Sequence, residues 1–151
     1  REIAKAGIAV FPLPQTNLFL QGRDISSATP RGLTALRALQ DAGVLVAAGA
    51  DNVQDIYNQV GRSDPLETAA LLVMAGHQLA DDAYQMVSND ARDGLGLGRV
   101  ELTPGAPADL LAINAVSTRE AIADAPMSRR VYHRGELVAS ADQWTQIHRA
   151  D

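Results

Sequence analysis

Asp51 is the residue of this sequence best placed to do chemistry. It follows Val44-Leu45-Val46-Ala47-Ala48-Gly49-Ala50, an apolar run that ends abruptly at the carboxylate. A short continuous run of this kind reads as a strand buried on both faces, and α/β sheets and barrels bind ligands at the carboxyl ends of their strands. A carboxylate there can ligate a metal ion or accept a proton as a base. It can equally cap the next turn or pair with a neighbour, and position alone does not choose. Asn52, Asp55 and Tyr57 follow in the same loop, where Tyr57 can stack on a planar ring. Asn17, Gln21 and Arg23 stand in an earlier polar stretch, where an amide or guanidinium can read the edge of a polar heterocycle. For each of these taken singly, ordinary loop polarity is an equally good account.

Other chemistries fall away. His77 lies in an apolar helical stretch, His133 alternates with Val131, and His148 is near the end; none has a second histidine at a ligand spacing. The absence of cysteine excludes disulfides, thiolate metal sites and a cysteine nucleophile, and leaves the compartment open. Gly94, Gly96 and Gly98 have no strand before them and no Lys after them, so they read as helix termination rather than a phosphate loop. No Gly-x-Ser-x-Gly elbow occurs. A net charge of −5, with no basic cluster beyond Arg129-Arg130, argues against a nucleic-acid surface. No apolar run approaches the roughly 20 residues that span a bilayer, and the opening Arg-Glu-Ile-Ala-Lys is not a signal peptide.

The elements that must position Asp51 follow from the same string. Hydrophobic residues make up 46%, enough for a packed core, but aromatics are only 4%, so that core is built from Ala, Val, Leu and Ile. Residues 1–6 read as the last turn of a helix stopped by Gly7. A natural chain rarely begins there, so a piece of a longer protein is expected. Ile8-Ala9-Val10-Phe11-Pro12-Leu13 reads as another buried strand, residues 14–30 as a long polar loop, and residues 31–42 as a helix closed by Gly43. The order strand, helix, strand implies parallel strands. Asp64-Pro65-Leu66-Glu67 marks a helix start, with Asp64 as N-cap and Glu67 completing a capping box; that helix is expected to reach about residue 79, and a second to span 81–93. After Gly98 the texture changes to short strand-like runs at 100–102, 109–113, 130–133 and 136–138, with a turn at Arg134-Gly135, a short helix over 118–123 and a terminal helix around Trp144.

Three stretches together resemble the last two barrel strands of cytosine-deaminase-like, metal-dependent amidohydrolases: Leu18-Phe19-Leu20-Gln21-Gly22-Arg23, then Pro30-Arg31-Gly32-Leu33, then Ala48-Gly49-Ala50-Asp51-Asn52-Val53-Gln54-Asp55. Pro104-Gly105-Ala106-Pro107-Ala108-Asp109-Leu110 and His133-Arg134-Gly135-Glu136-Leu137-Val138 resemble the return into that family's small β domain and its closing hairpin. The resemblance implies an α/β fold: the last part of a (β/α)8 barrel with parallel strands over residues 1–97, then a small composite-type β domain over 98–151. It implies the C-terminal part of a hydrolase that cleaves a C–N bond in a cyclic amide or amino-heterocycle through a metal-activated hydroxide.

The matching metal ligand and catalytic acid–base is Asp51, with Asn52, Tyr57, Gln21 and Arg23 toward the substrate. The cofactor implied is a divalent ion, zinc or iron, with its remaining ligands upstream of Arg1. The implied partners are a small heterocyclic substrate and the remainder of the barrel, with no nucleic acid and no membrane; homo-oligomerisation is left open, and the expected location is cytoplasmic. Asn52 stands where the cytosine-specific enzymes resemble Asp-Asp, and Asp55-Ile56-Tyr57 where many members have Asp-Pro-Trp. These departures weaken the case for cytosine itself and leave a related cyclic amide or amine. Two other readings are a non-catalytic α/β interaction or structural module and a self-contained α/β domain that dimerises.

Overall fold

The computed structural model describes residues 1–30 and 32–148. The chain divides into two compact units, Arg1–Arg99 and Val100–Asp151.

In the first unit a short helix α1 (Glu2–Lys5) stops at Gly7, whose φ of +64° suits a residue without a Cβ. Residues 8–13 and 44–50 then run side by side in parallel. Val10 N–H donates to Leu45 O (2.9 Å), Ala47 N–H to Val10 O (3.0 Å) and Gly49 N–H to Pro12 O (3.2 Å). Regular strands are expected here, yet only the single parallel bridge Val10–Val46 forms. The reason lies in the sequence: Pro12 has no N–H, so the rung beyond Val10 keeps one bond and loses the other. Val46 and Ala47 point to opposite faces and are both buried. The two-sided burial expected of this run is therefore real.

The polar stretch after Leu13 is not all loop. It opens with helix α2 (Pro14–Leu20), which has Pro14 at its start, where the missing N–H costs nothing and the ring fixes φ for the helix. Helix α3 (Leu36–Asp41) is shorter than expected, and Arg31, its expected first residue, lies outside the described residues. Helix α4 (Pro65–Met74) begins at its expected cap, with Asp64 Oδ1 accepting from Leu66 N–H at 3.0 Å. Glu67 also reaches back to Arg62, meeting its N–H at 3.3 Å and its Nε at 3.1 Å. The helix ends well before Leu79, and His77 beyond it has a φ of +54°. The single helix expected over 81–93 is two, α5 (Ala80–Val87) and α6 (Asn89–Gly94). Ser88 parts them: its hydroxyl donates back to Tyr84 O at 2.6 Å, a bond that competes with the helix ladder. Ala48 N–H donates to Met86 O at 2.8 Å, which holds α5 against the open edge of residues 44–50. Leu66, Ala69, Leu72, Ala83 and Met86 fill the core of this unit.

In the second unit, β1 (Leu110–Ile113), β2 (Arg129–His133) and β3 (Glu136–Ala141) form an antiparallel sheet in that order. Helix α7 (Thr118–Asp124), capped by Ser117, buries Ala121 and Ile122. The hairpin turn at Arg134-Gly135 has φ of +51° and +85°, the primed turn that matches strand twist. The run at 100–102 is irregular, not a strand; it leads into a turn in which Ala106 N–H donates to Thr103 O at 3.1 Å. Residues 142–148 form no helix. Among the described residues no helix is long and apolar enough to cross a membrane.

Residues 8–13 pair with nothing along their second edge among the described residues, and Ile8 is 55% and Met74 68% exposed. An unpaired edge beside apolar surface invites association with another chain. The isolated 151-residue chain is expected to self-associate or to unfold broadly, as read by light scattering and thermal unfolding. A sharp transition from a clean monomer is the opposing result.

Candidate active site

The parallel pairing delivers α2 and the loop after Ala50 to the same end of the two extended segments. Asp51 takes up a φ of +66°, a left-handed backbone uncommon for a residue with a side chain but open to Asp. It is exposed, and its carboxylate makes no hydrogen bond or ion pair with any described residue. The capping or pairing role that its position allowed is therefore not used.

Asn52, by contrast, makes three hydrogen bonds. Its Oδ1 accepts from Thr16 Oγ1 at 3.4 Å, its Nδ2 donates to Asp55 Oδ2 at 2.5 Å, and its main-chain oxygen accepts from Asn58 Nδ2 at 2.9 Å. Asp55 Oδ1 closes an Asx turn, accepting from Tyr57 N–H at 2.8 Å and Asn58 N–H at 3.0 Å. Gly61 seals the ring: a Cβ there would lie 2.6 Å from Asn58 Nδ2 and 2.9 Å from Asn52 O. The side chain of Tyr57 stays exposed at the tip.

Gln21 and Arg23 lie at the other end of α2, about 7 Å of helix rise beyond Thr16. Gln21 Oε1 accepts from Gly32 N–H at 2.5 Å. The Arg23 guanidinium sits 4.7 Å from the centre of the Phe19 ring, a cation–π distance. The structure thus brings Asp51, Asn52 and Tyr57 into one loop and puts Gln21 and Arg23 just past the far end of α2, whose Thr16 meets that loop.

Four participants escape a reading of the sequence. Thr16 and Asn58 are buried polar residues of the clamp, and Gly61 is its tight spot. Gln15 is buried, with Nε2 donating to Thr68 Oγ1 at 2.7 Å and Oε1 without a partner. Only Asp55 carries a legible signal, an Asp that meets the N–H two residues on. Thr68 also lines a cavity of about 190 Å³, together with Ala48, Gly49, Ala50, Ser63, Pro65 and Val87. Among the described residues no cluster of three or more His, Cys, Asp or Glu is arranged to hold a metal ion.

The sequence resemblance is borne out. No family model matches the chain, but over most of its length it is similar to deaminases of the amidohydrolase superfamily, in sequence and in α/β fold. It is 34% identical to a pterin deaminase of Rhizobium rhizogenes (strain K84 / ATCC BAA-868), across 90% of this chain and 32% of that protein. It superposes on the 5-methylcytosine deaminase of Klebsiella pneumoniae liganded with phosphonocytosine with a TM-score of 0.80 at 25% identity, covering 97% of this chain and 37% of that one. The N-isopropylammelide isopropylaminohydrolase of Burkholderia multivorans ATCC 17616 gives a TM-score of 0.72 at 30% identity, covering 91% and 33%. The chain spans about a third of the length of the relatives it matches.

Asp55 provides a test of the loop. Desolvation raises its pKa, but the Tyr57 N–H, the Asn52 amide and the Asn58 N–H together lower it by more, leaving it below the ordinary 3.8. A group depressed in this way stabilises the loop fully above its ordinary value, and that contribution is lost as pH falls through the lowered pKa. An NMR titration of the Asp55 carboxyl carbon is expected to give a midpoint below 3.8. A midpoint at or above that value refutes the ring as drawn.

Proposed function

We propose that this chain supplies the last part of the barrel of a hydrolase that removes an amino group from, or opens a cyclic amide in, a nitrogen heterocycle. The observation that carries this reading is the free, outward carboxylate of Asp51 at the end of a segment buried on both faces, in a chain similar to deaminases. Residues 1–97 are the barrel portion and 98–151 the small β domain. Two parallel-bonded segments with open edges suit a part of a barrel better than a stand-alone interaction module.

Asp51 is the acid–base group: it accepts a proton from the attacking water and passes it to the departing nitrogen. It is also one ligand of a divalent ion, zinc or iron, whose other ligands come from outside this chain. Such an ion, when bound, supplies a water acidic enough to be deprotonated near neutral pH. Tyr57 stacks on the ring from the loop tip. Gln21 and Arg23 meet the polar edge of the substrate by leaving their present contacts with Gly32 and Phe19.

The test is ammonia release by the full protein from a panel containing a pterin, 5-methylcytosine, cytosine, guanine and N-isopropylammelide. At least one is expected to turn over, and Asp51→Asn is expected to lower kcat by about a hundredfold or more while leaving the fold intact. A variant that keeps most of its kcat overturns the assignment. The 151-residue chain alone is expected to show no turnover above a metal-only control, because one carboxylate does not fix a catalytic ion. Activity of the chain alone is the contrary result.

A further inference from the structure

The clamp around Asn52 carries a consequence for Asp51 itself. Asp51 stands between two restrained peptides. On its N-terminal side Gly49 N–H is bonded to Pro12 O at 3.2 Å. On its C-terminal side the Asn52 side chain is bonded at both ends and its main-chain oxygen is held by Asn58. Asn58 is buried, and Gly61 packs against it with no room for a Cβ. Thr16 is itself buried on α2, and its neighbour Gln15 is bonded to Thr68 of α4. A non-glycine residue at a φ of +66° holds a less favoured backbone that persists where its surroundings fix it. Here the surroundings are the bridge on one side and the Thr16–Asn52–Asp55–Asn58 clamp on the other.

We propose that Asn52 is a positioning residue: it fixes the left-handed backbone of Asp51, and so the direction of its carboxylate, instead of reading the substrate. Its carbonyl oxygen and one amide hydrogen are committed within the protein, and the hydroxyl that meets the oxygen comes from a buried residue of a different element. The family resemblance implies a substrate-facing role for Asn52; the geometry points to Thr16 and Asn52 acting as one unit on Asp51. This inference rests on the reading of Asp51 as the acid–base group.

The test uses the full protein, on whichever heterocycle of the panel it turns over. Thr16→Val removes the hydroxyl at constant shape, Thr16→Ser keeps it, and Asn52→Ala removes the clamp. Thr16→Val and Asn52→Ala are each expected to lower kcat about tenfold or more with KM changed by no more than about twofold, since a catalytic group misaimed by about 1 Å loses rate rather than binding. The double variant is expected to lose little beyond either single one, and Thr16→Ser to recover most of the rate. With labelled aspartate, the Asp51 carbon shifts characteristic of a left-handed backbone are expected in the wild type and in Thr16→Ser, and to move in Thr16→Val. A rise in KM with kcat unchanged in Asn52→Ala shows substrate reading and overturns the proposal, as do unchanged kcat and shifts in Thr16→Val. If Asp51→Asn is inactive while the Thr16 and Asn52 variants are unaffected, the positioning role fails and the proposed function stands. If Asp51→Asn is itself active, the proposed function fails first.

Discussion

The pairing of residues 8–13 with residues 44–50 is the constraint on which the first unit depends. It consists of few hydrogen bonds, because Pro12 cannot donate. Each net hydrogen bond contributes about 1 kcal/mol, so the pairing is held mainly by the burial of Val44, Val46, Ala47 and Ala48. Its effect is directional. Both segments run the same way, so the chain leaves both at the same end, and α2 and the loop after Ala50 must meet there. The contact between Thr16 and Asn52, 36 residues apart, follows from that parallel sense; an antiparallel pair would have sent the two exits to opposite ends.

On that base, polar groups do the fine placement. Buried polar residues take specific partners: Gln15 with Thr68, Thr16 with Asn52, Asn58 with the Asn52 carbonyl. A buried polar group left unpaired costs about 1–3 kcal/mol, so these pairings specify one arrangement of α2 relative to α4 and to the loop. Gln15 Oε1 is the exception, a buried acceptor without a partner. In the second unit the analogous anchor is Asp109, which accepts from Arg134 N–H and from His133 Nδ1, both at 2.9 Å, and so ties β1 to the turn between β2 and β3.

What could be read from the sequence divides along a physical line. Local signals held: Asp64-Pro65 starts α4, Gly7 and Gly43 take positive φ after their helices, and Arg134-Gly135 turns the β2–β3 hairpin. Three expectations failed where one local group outweighed periodicity. Pro12 stripped the ladder of a donor, Pro14 began a helix inside a stretch that read as loop, and the Ser88 hydroxyl split one expected helix into two. The run at 100–102 and the segment around Trp144 failed for the opposite reason: they have suitable composition but bury little, and Leu102 and Trp144 are both 80% exposed or more. In the candidate site, Asp51 was legible because a carboxylate ending an apolar run is conspicuous. Thr16, Asn58 and Gly61 were not, because their roles exist only through contacts made across the fold.

The ring from Asn52 to Gly61 also bears on how such a loop can change over generations. Its frame positions are interlocked, Asn52 with Asp55 and Asn58, and Asn58 with a glycine that tolerates no side chain. Its tip positions, Val53, Ile56, Tyr57 and Val60, are exposed. Mutations at the frame shift the whole ring and are costly, whereas mutations at the tip exchange one exposed side chain for another on an unmoved backbone. A loop divided in this way is evolvable: it can sample new surface chemistry one residue at a time without paying for a new fold.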